Sequence, residues 1–292
     1  MLLMLIFNLV PLYATRVPLL LQHGRLDRLL PGDFIAPAFQ FILGVSMPFA
    51  KLRKRRAAGY WAKRVLGLCS IGYTLDVLMF KRARVWGVLE TLGATFSITF
   101  PLLWVSLKAK AAALSLLFGG YCLLSLSPNY LNLVKNSPHG GIYALPAWAT
   151  ITLIGSLYGE KLTSSSKIRL KEVLAALSLI ALGTMLASIF PATKRLVTPS
   201  YTLISSGVCA STLAAFTQIK APKLLEKLAH LGRYALEAWI LQYIYGIYPA
   251  FYILRKIKFL TPWEAYTTTT GIILATWITT KLMQKAGLKL KV

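Results

Sequence analysis

Acidic side chains are the scarcest feature of this sequence, with nine Asp and Glu against 33 Lys and Arg in 292 residues. Charged residues of both signs make up only 14% of the chain, against roughly 25% in an ordinary soluble domain. Hydrophobic residues make up 56%, and the mean hydropathy is +0.61. This composition excludes an ordinary soluble domain and predicts an integral membrane protein.

Motifs for metal binding and redox chemistry are also missing from the sequence. Cys69, Cys122 and Cys209 each stand alone in an apolar stretch, without C-x-x-C spacing. Single cysteines of this kind are typically small buried side chains, so we expect neither a metal nor a disulfide. The N-terminus has no basic region and no small-residue cleavage site. We therefore expect the first apolar run to be a membrane span and not a cleaved signal.

Ten apolar runs divide the chain, beginning near residues 2, 33, 65, 86, 111, 142, 173, 199, 234 and 265. A helix of about 18 apolar residues or more can cross a ~30 Å hydrocarbon core. The sequence therefore predicts an all-α integral membrane protein, a polytopic helical bundle of about ten transmembrane helices, with residues 1–292 as a single domain.

The basic residues lie in short segments between these runs and account for a formal net charge of +24. In such loops positive charge sets the orientation of the spans, so we predict membrane lipid and not nucleic acid as the partner. Segments on alternate sides carry 21 and 12 Lys and Arg. The more basic side is predicted to be cytoplasmic, with both termini on it. The sequence is also compatible with a homo-oligomer.

Ionisable groups near the predicted spans are the candidates for chemistry. Four acids lie inside or at the edges of spans, and such groups face either a polar cavity or a partner charge: Asp33, Asp76, Glu90 and Glu237. The clearest candidate is His23 on the predicted outer face, because Asp33 follows ten residues later, where the second span begins. A carboxylate beside an imidazole orients it and stabilises its protonated form, as a general base requires.

The residues around this pair carry a family resemblance. LQHGRLDRLLPGDFIAPAFQFILGVS, residues 21–46, resembles the first outer loop and second span of the heparan-alpha-glucosaminide N-acetyltransferase family. Later stretches resemble further family segments in the same order: RVWGVLETLG at 84–93, HGGIYALPAWATITLIGSLYGEKL at 139–162, PATKRLVTPSYTLISSG at 191–207 and LGRYALEAWILQY at 231–243. The resemblance thus extends over nearly the whole chain.

The resemblance implies a membrane-embedded acyltransferase, with acetyl-CoA as co-substrate and a glycan or amino sugar as acceptor on the non-cytoplasmic side. It implies that His23 is the general base or a transient acetyl acceptor and that Asp33 orients it. Lys194 and Arg195 would bind an anionic glycan or stabilise an oxyanion, although they also fit as orientation-setting loop charges. The basic run KLRKRR at 51–56 is a candidate for the CoA phosphates or, equally, a cytoplasmic anchor.

Two further polar residues in the matching segments, Glu90 and His139, are candidates for substrate binding. Glu90 stands where the family favours Gln, and other departures lie at Thr91, Val197 and Gln242, where the family favours Arg, Trp and His. Family members carry a Leu-Asp-x-x-Arg-Gly segment just ahead of the first span, whereas Met1 stands inside that span here, so we expect either a misplaced gene start or a protein without those groups. These departures keep two alternatives open: a transporter or flippase for a glycan or lipid-linked sugar, and a catalytically inactive relative.

Overall fold

A computed structural model describes residues 1–24, 28–52, 58–80, 86–165, 167–219 and 223–290. Asp27 and residues 53–56 of the KLRKRR run lie outside these ranges. The described residues form α-helices with short 3-10 and π-helical turns and contain no β-strand, so the predicted all-α class is confirmed. The α-helices are α1 (Leu2–Tyr13), α2 (Ile35–Leu52), α3 (Ala58–Phe80), α4 (Val88–Thr99), α5 (Leu107–Ser125), α6 (Pro128–Asn136), α7 (Leu145–Ser164), α8 (Leu170–Leu186), α9 (Pro199–Gln218), α10 (Lys223–Arg233), α11 (Ala235–Gln242) and α12 (Pro262–Lys285).

Three helical stretches among the described residues are long and apolar enough to cross a membrane: Pro31–Leu52, Leu107–Ser125 and His139–Ser164. They coincide with predicted runs that begin near 33, 111 and 142. Other predicted runs fall on shorter or more polar helices. The 12 residues of α1 reach only about 18 Å at the ~1.5 Å rise per residue of a helix, and α12 carries the TTTT tract. These features indicate a membrane protein, and the number of ten spans stays a prediction.

The outer surface of α5 fits contact with lipid. Only 11% of the apolar stretch Leu107–Ser125 is buried within the protein. Large side chains point outward from it, with Leu116 77% exposed and Leu123 71% exposed. Extended exposed apolar surface of this kind is unusual on a soluble monomer and is typical of a membrane or protein interface.

The chain divides into two compact units. The first combines Met1–His23, Leu30–Ile35 and Ala221–Lys291, and α1 packs against α12 within it. Two backbone hydrogen bonds fix the end of α1 to the segment before α12. The N–H of Thr15 donates to the carbonyl of Leu260 at 2.9 Å, and the N–H of Leu260 donates to the carbonyl of Tyr13 at 3.0 Å. The phenol of Tyr13 donates to the carbonyl of Gly246 at 2.7 Å. These bonds hold α1, which carries the chain towards His23.

The second unit is built around α7, and 72% of the apolar stretch His139–Ser164 is buried. Glycines allow α2 and α7 to approach to backbone contact. A Cβ on Gly44 would lie 2.0 Å from the carbonyl oxygen of Thr152, and one on Gly155 would lie 2.2 Å from that of Phe41. Any larger residue at either glycine would force the two helices apart.

A buried amide links three helices at the centre of this second unit. The Oε1 atom of Gln40 accepts hydrogen bonds from the hydroxyl of Thr95 at 2.7 Å and from that of Thr152 at 3.0 Å. All three side chains are fully or almost fully buried. The amide therefore connects α2 with α4 and α7 at one point, and it fixes the register of their packing.

Candidate functional site

The chain enters α2 through a 3-10 turn, Pro31–Phe34, that places Asp33. Pro31 occupies the first position, where its missing N–H costs nothing. The Oδ2 atom of Asp33 accepts from the backbone N–H of Leu30 at 2.9 Å, and the N–H of Asp33 donates to the carbonyl of Leu30 at the same distance. This reciprocal pair fixes the carboxylate at the start of the helix.

His23 lies against this carboxylate. Its Nδ1 atom is 3.4 Å from Oδ1 of Asp33. The two side chains differ sharply in exposure, with 46% of His23 and only 1% of Asp33 open to solvent. The structure therefore brings together the two residues predicted to form the catalytic pair, with the carboxylate inside and the imidazole at the surface of the first unit.

Gly32 lies close to the rings of both Phe7 and His23. A Cβ on Gly32 would lie 2.7 Å from Cδ1 of Phe7 and 3.1 Å from Nδ1 of His23. The peptide backbone thus touches both rings at a position that has no room for a side chain. The 3-10 turn therefore borders the ring of His23, and it packs on Phe7 of α1.

This arrangement suits proton transfer at the imidazole. A carboxylate close to Nδ1 orients the ring and favours the tautomer that carries its proton on that nitrogen. Because the carboxylate is held by the Leu30 N–H, the pair has a defined geometry. The arrangement can therefore accept a proton from a molecule that approaches the exposed side of His23 and return it later.

His139 and the Lys194–Arg195 turn lie in neighbouring segments of the second unit. His139 is exposed and has a left-handed backbone with φ of 49°, and its carbonyl accepts from the indole N–H of Trp148 at 2.9 Å. A Cβ on the next residue, Gly140, would lie 3.3 Å from Cγ2 of Val197. The three candidate substrate-binding residues His139, Lys194 and Arg195 thus belong to adjoining loops.

Glu90 is buried near the start of α4, facing α3. A Cβ on Gly72 would lie 2.6 Å from its Oε2 atom, and one on Gly87 would lie 2.9 Å from both this atom and Oδ2 of Asp76. Two carboxylates therefore converge on Gly87. Such a buried carboxyl group is a candidate for binding a proton or a cationic group.

Glu237, the fourth acid of the sequence analysis, has a structural partner. It is buried in α11, and its Oε1 atom accepts from the backbone N–H of Leu290 at 2.8 Å. It thereby holds the C-terminal segment and gives no sign of a substrate site. In the same unit Gln242, a departure from the family pattern, accepts from the amide of Asn8 at 3.1 Å.

Sequence reasoning missed several polar contacts that the structure contains. Gln40 was visible as the one amide in the apolar stretch PAFQFILGVS, although its partners were not. Lys110 of α5 is buried and paired with Glu160 of α7. Neither residue was a candidate site residue from the sequence, although Glu160 lies in the family-like segment 139–162.

A metal centre finds no support in the described ranges, where no group of three or more His, Cys, Asp or Glu side chains converges. No protein-family model matches the chain, and the comparison with curated proteins gives no significant match. The resemblance to the heparan-alpha-glucosaminide N-acetyltransferase family therefore stays a prediction from the quoted residues.

Proposed function

We propose that this protein is a membrane-embedded acyltransferase that moves an acetyl group from acetyl-CoA to the amine or hydroxyl of a sugar on the non-cytoplasmic side. The observation that carries the proposal is the contact between the half-exposed imidazole of His23 and the buried carboxylate of Asp33. The family resemblance of residues 21–46 supplies the reaction class. The proposal includes about ten spans and cytoplasmic termini, on the argument from basic segments.

The proposed reaction needs one proton relay. The acceptor nitrogen or oxygen attacks the thioester carbonyl while His23 takes its proton, which leaves a tetrahedral intermediate and an imidazolium held by Asp33. The intermediate then collapses, the carbon–sulfur bond breaks, and the CoA thiolate takes the proton from His23. The products are the acetylated sugar and CoA, and His23 returns to its neutral form.

The other candidate residues bind substrate in this proposal. Lys194 and Arg195 attract an anionic glycan or stabilise the oxyanion, since both are cations in an accessible turn. His139, in the adjoining loop, contacts the acceptor sugar. Glu90 provides a buried hydrogen-bonding carboxyl group for a polar part of a substrate.

Purified protein in detergent tests the proposal. Acetyl-CoA should raise the melting temperature, because a ligand that binds only the folded state stabilises it by about 2.7 kcal/mol at 100 times Kd. Radiolabelled acetyl-CoA incubated with glucosamine and a panel of amino sugars should yield labelled sugar. Stabilisation without transfer would identify a catalytically inactive relative, and neither stabilisation nor transfer would contradict the proposal.

A transporter or flippase for a glycan or lipid-linked sugar is the second candidate, favoured by the buried carboxylates of Glu90 and Asp76. In such a protein the carboxyl groups bind and release protons as substrate crosses. Proteoliposomes with an imposed pH gradient would then accumulate labelled glucosamine, and Glu90→Gln would abolish the uptake. Uptake that ignores the pH gradient, or that Glu90→Gln leaves intact, would remove this candidate.

A further inference from the structure

A pocket open to solvent lies where α7 ends and α8 begins in the second unit, and it is lined by four cations: Lys161, Lys167, Arg169 and Lys171. All four are exposed. None forms an ion pair with a described residue. Ser164, Ser165 and Glu172 also line the pocket. Four positive charges around one concavity form a surface that fits an anion.

The acidic residues close to the pocket do not neutralise this charge by pairing with its cations. Glu172, which also lines the pocket, is buried, and its Oε2 atom accepts from the backbone N–H of Arg169 at 3.2 Å. That bond caps the start of α8. Glu160, one residue before Lys161, is paired with Lys110 of α5. The lining residues thus carry four positive charges against the one negative charge of Glu172, so the pocket keeps an excess of positive charge.

The backbone of the pocket is held by α9. The N–H of Ile168 donates to the hydroxyl of Thr217 at 3.2 Å, and the carbonyl of Ile168 accepts from the side-chain amide of Gln218 at 2.7 Å. The side chain of Ile168 is buried. Lys167 and Arg169 flank this fixed residue on the chain. They therefore project from a backbone that is held in place, which lowers the entropy lost when both bind one ligand.

We infer that this pocket is a binding site for a phosphate-bearing anion. Phosphate oxygens accept several charge-assisted hydrogen bonds, and a diphosphate carries enough charge to engage Lys161, Lys167, Arg169 and Lys171 together. The pocket begins at the end of the apolar stretch His139–Ser164, where the chain leaves its membrane-compatible segment. Two sources supply such a group there: the headgroup of an anionic phospholipid, and a soluble nucleotide with phosphate groups. The inference does not depend on acetyl transfer.

Two binding measurements on the full-length protein distinguish the sources. Calorimetric titration in detergent with pyrophosphate and with adenosine 3′,5′-bisphosphate probes the soluble source. Reconstitution into nanodiscs of equal parts phosphatidylcholine and phosphatidylglycerol, followed by mass spectrometry of the lipid retained after extraction, probes the lipid. Binding of either kind supports the site and identifies its ligand class.

The variant Lys167→Gln/Arg169→Gln should weaken the observed binding about tenfold or more, because it removes two charge-assisted hydrogen-bond donors. The matched control is Lys108→Gln/Lys285→Gln, which removes the same charge from exposed cations outside the pocket. Its affinity for the probe should stay within about twofold of that of the parent protein, because surface charges at a distance are screened.

The site is refuted if no probe binds or if both variants lose binding equally. Acetyl transfer that persists after such a failure would leave the proposed function intact.

Discussion

The Nδ1 atom of His23 lies 3.4 Å from Oδ1 of Asp33, and the carboxylate is buried while the imidazole is half-exposed. Ten residues separate the two in the sequence, and they meet because the 3-10 turn at Pro31–Phe34 directs Asp33 back towards the end of the preceding segment. The proposed chemistry depends on this contact, so substitution of either partner should slow acetyl transfer.

Asp33→Asn should lower kcat for acetyl transfer by about 100-fold or more, because a neutral amide neither selects the same imidazole tautomer nor stabilises the imidazolium. The amide oxygen can still accept from Leu30, so the melting temperature should change little. The KM for acetyl-CoA should stay within about twofold, since Asp33 acts through His23 and not through substrate. An equal loss in kcat and thermal stability would instead assign Asp33 a purely structural role.

Gly155→Ala should destabilise the second unit by about 1–3 kcal/mol, because the added Cβ meets the backbone of α2 and not a movable side chain. The distance from that Cβ to the carbonyl oxygen of Phe41 would be 2.2 Å. Gly120→Ala in α5 is the matched control, since a Cβ there meets no atom within 4 Å. Thermal melting in one detergent compares them, and equal melting temperatures would disprove the close packing of α2 on α7.

Substitution of Lys110 and substitution of Glu160 should lower the free energy of unfolding by different amounts. Lys110 is almost fully buried, whereas the Glu160 side chain is 30% exposed. Glu160→Gln leaves a buried ammonium without its counter-charge and should cost about 1–3 kcal/mol. Lys110→Met should cost less, because an apolar side chain of similar length replaces the buried charge.

The double variant Lys110→Met/Glu160→Gln tests the coupling of this pair. It should be more stable than the sum of the single variants predicts, since the two side chains are in direct contact. Melting temperatures that simply add would show that the two residues do not interact.

His230 should make stability depend on pH. Burial, followed by the nearby charges of Lys281 and Arg233, lowers its pKa from the ordinary value of 6.5, against a smaller opposing effect of a hydrogen bond with Thr280. The unfolded chain then binds more protons than the folded protein at pH values below about 6.5. Stability should therefore fall as the pH drops through this range and should not change through this group above it.

His230→Gln should remove this part of the pH dependence, whereas His139→Gln, at an exposed histidine, should retain it. Melting temperatures between about pH 5 and pH 8 compare the variants, the range in which an ordinary histidine changes charge. The same slope in His230→Gln and in the parent protein would place the responsible group elsewhere.

Residue type and spacing predicted part of this structure. The all-helical class followed from apolar runs, and the meeting of His23 and Asp33 was expected because a carboxylate follows the histidine just where a span begins. The close approach of Phe7 to Gly32 was not predicted, because it depends on how α1 packs and local sequence patterns do not show such packing. The partners of Gln40 depend on the register between helices, which a single sequence does not reveal.

The number of spans could also be predicted from the sequence only in part. Charge alternation and apolar runs gave ten, whereas length and hydropathy single out three stretches of the described chain. The difference arises at segments such as α9, where Ser and Thr lower the hydropathy while their hydroxyls bond within their own helix. The hydroxyl of Ser206, for example, donates to the carbonyl of Thr202 at 2.8 Å. Such bonds reduce the polarity that a helix presents to its surroundings, and hydropathy averages do not include them.

Replacing His23 tests the central claim most directly. An unchanged melting temperature would first show that the purified His23→Ala variant is folded. This variant should transfer acetyl from acetyl-CoA at least about 100-fold more slowly than the parent protein, because a positioned base usually contributes that much to the rate. Added imidazole should restore part of the rate by filling the space that the side chain leaves. Transfer by folded His23→Ala at the rate of the parent protein would contradict the account.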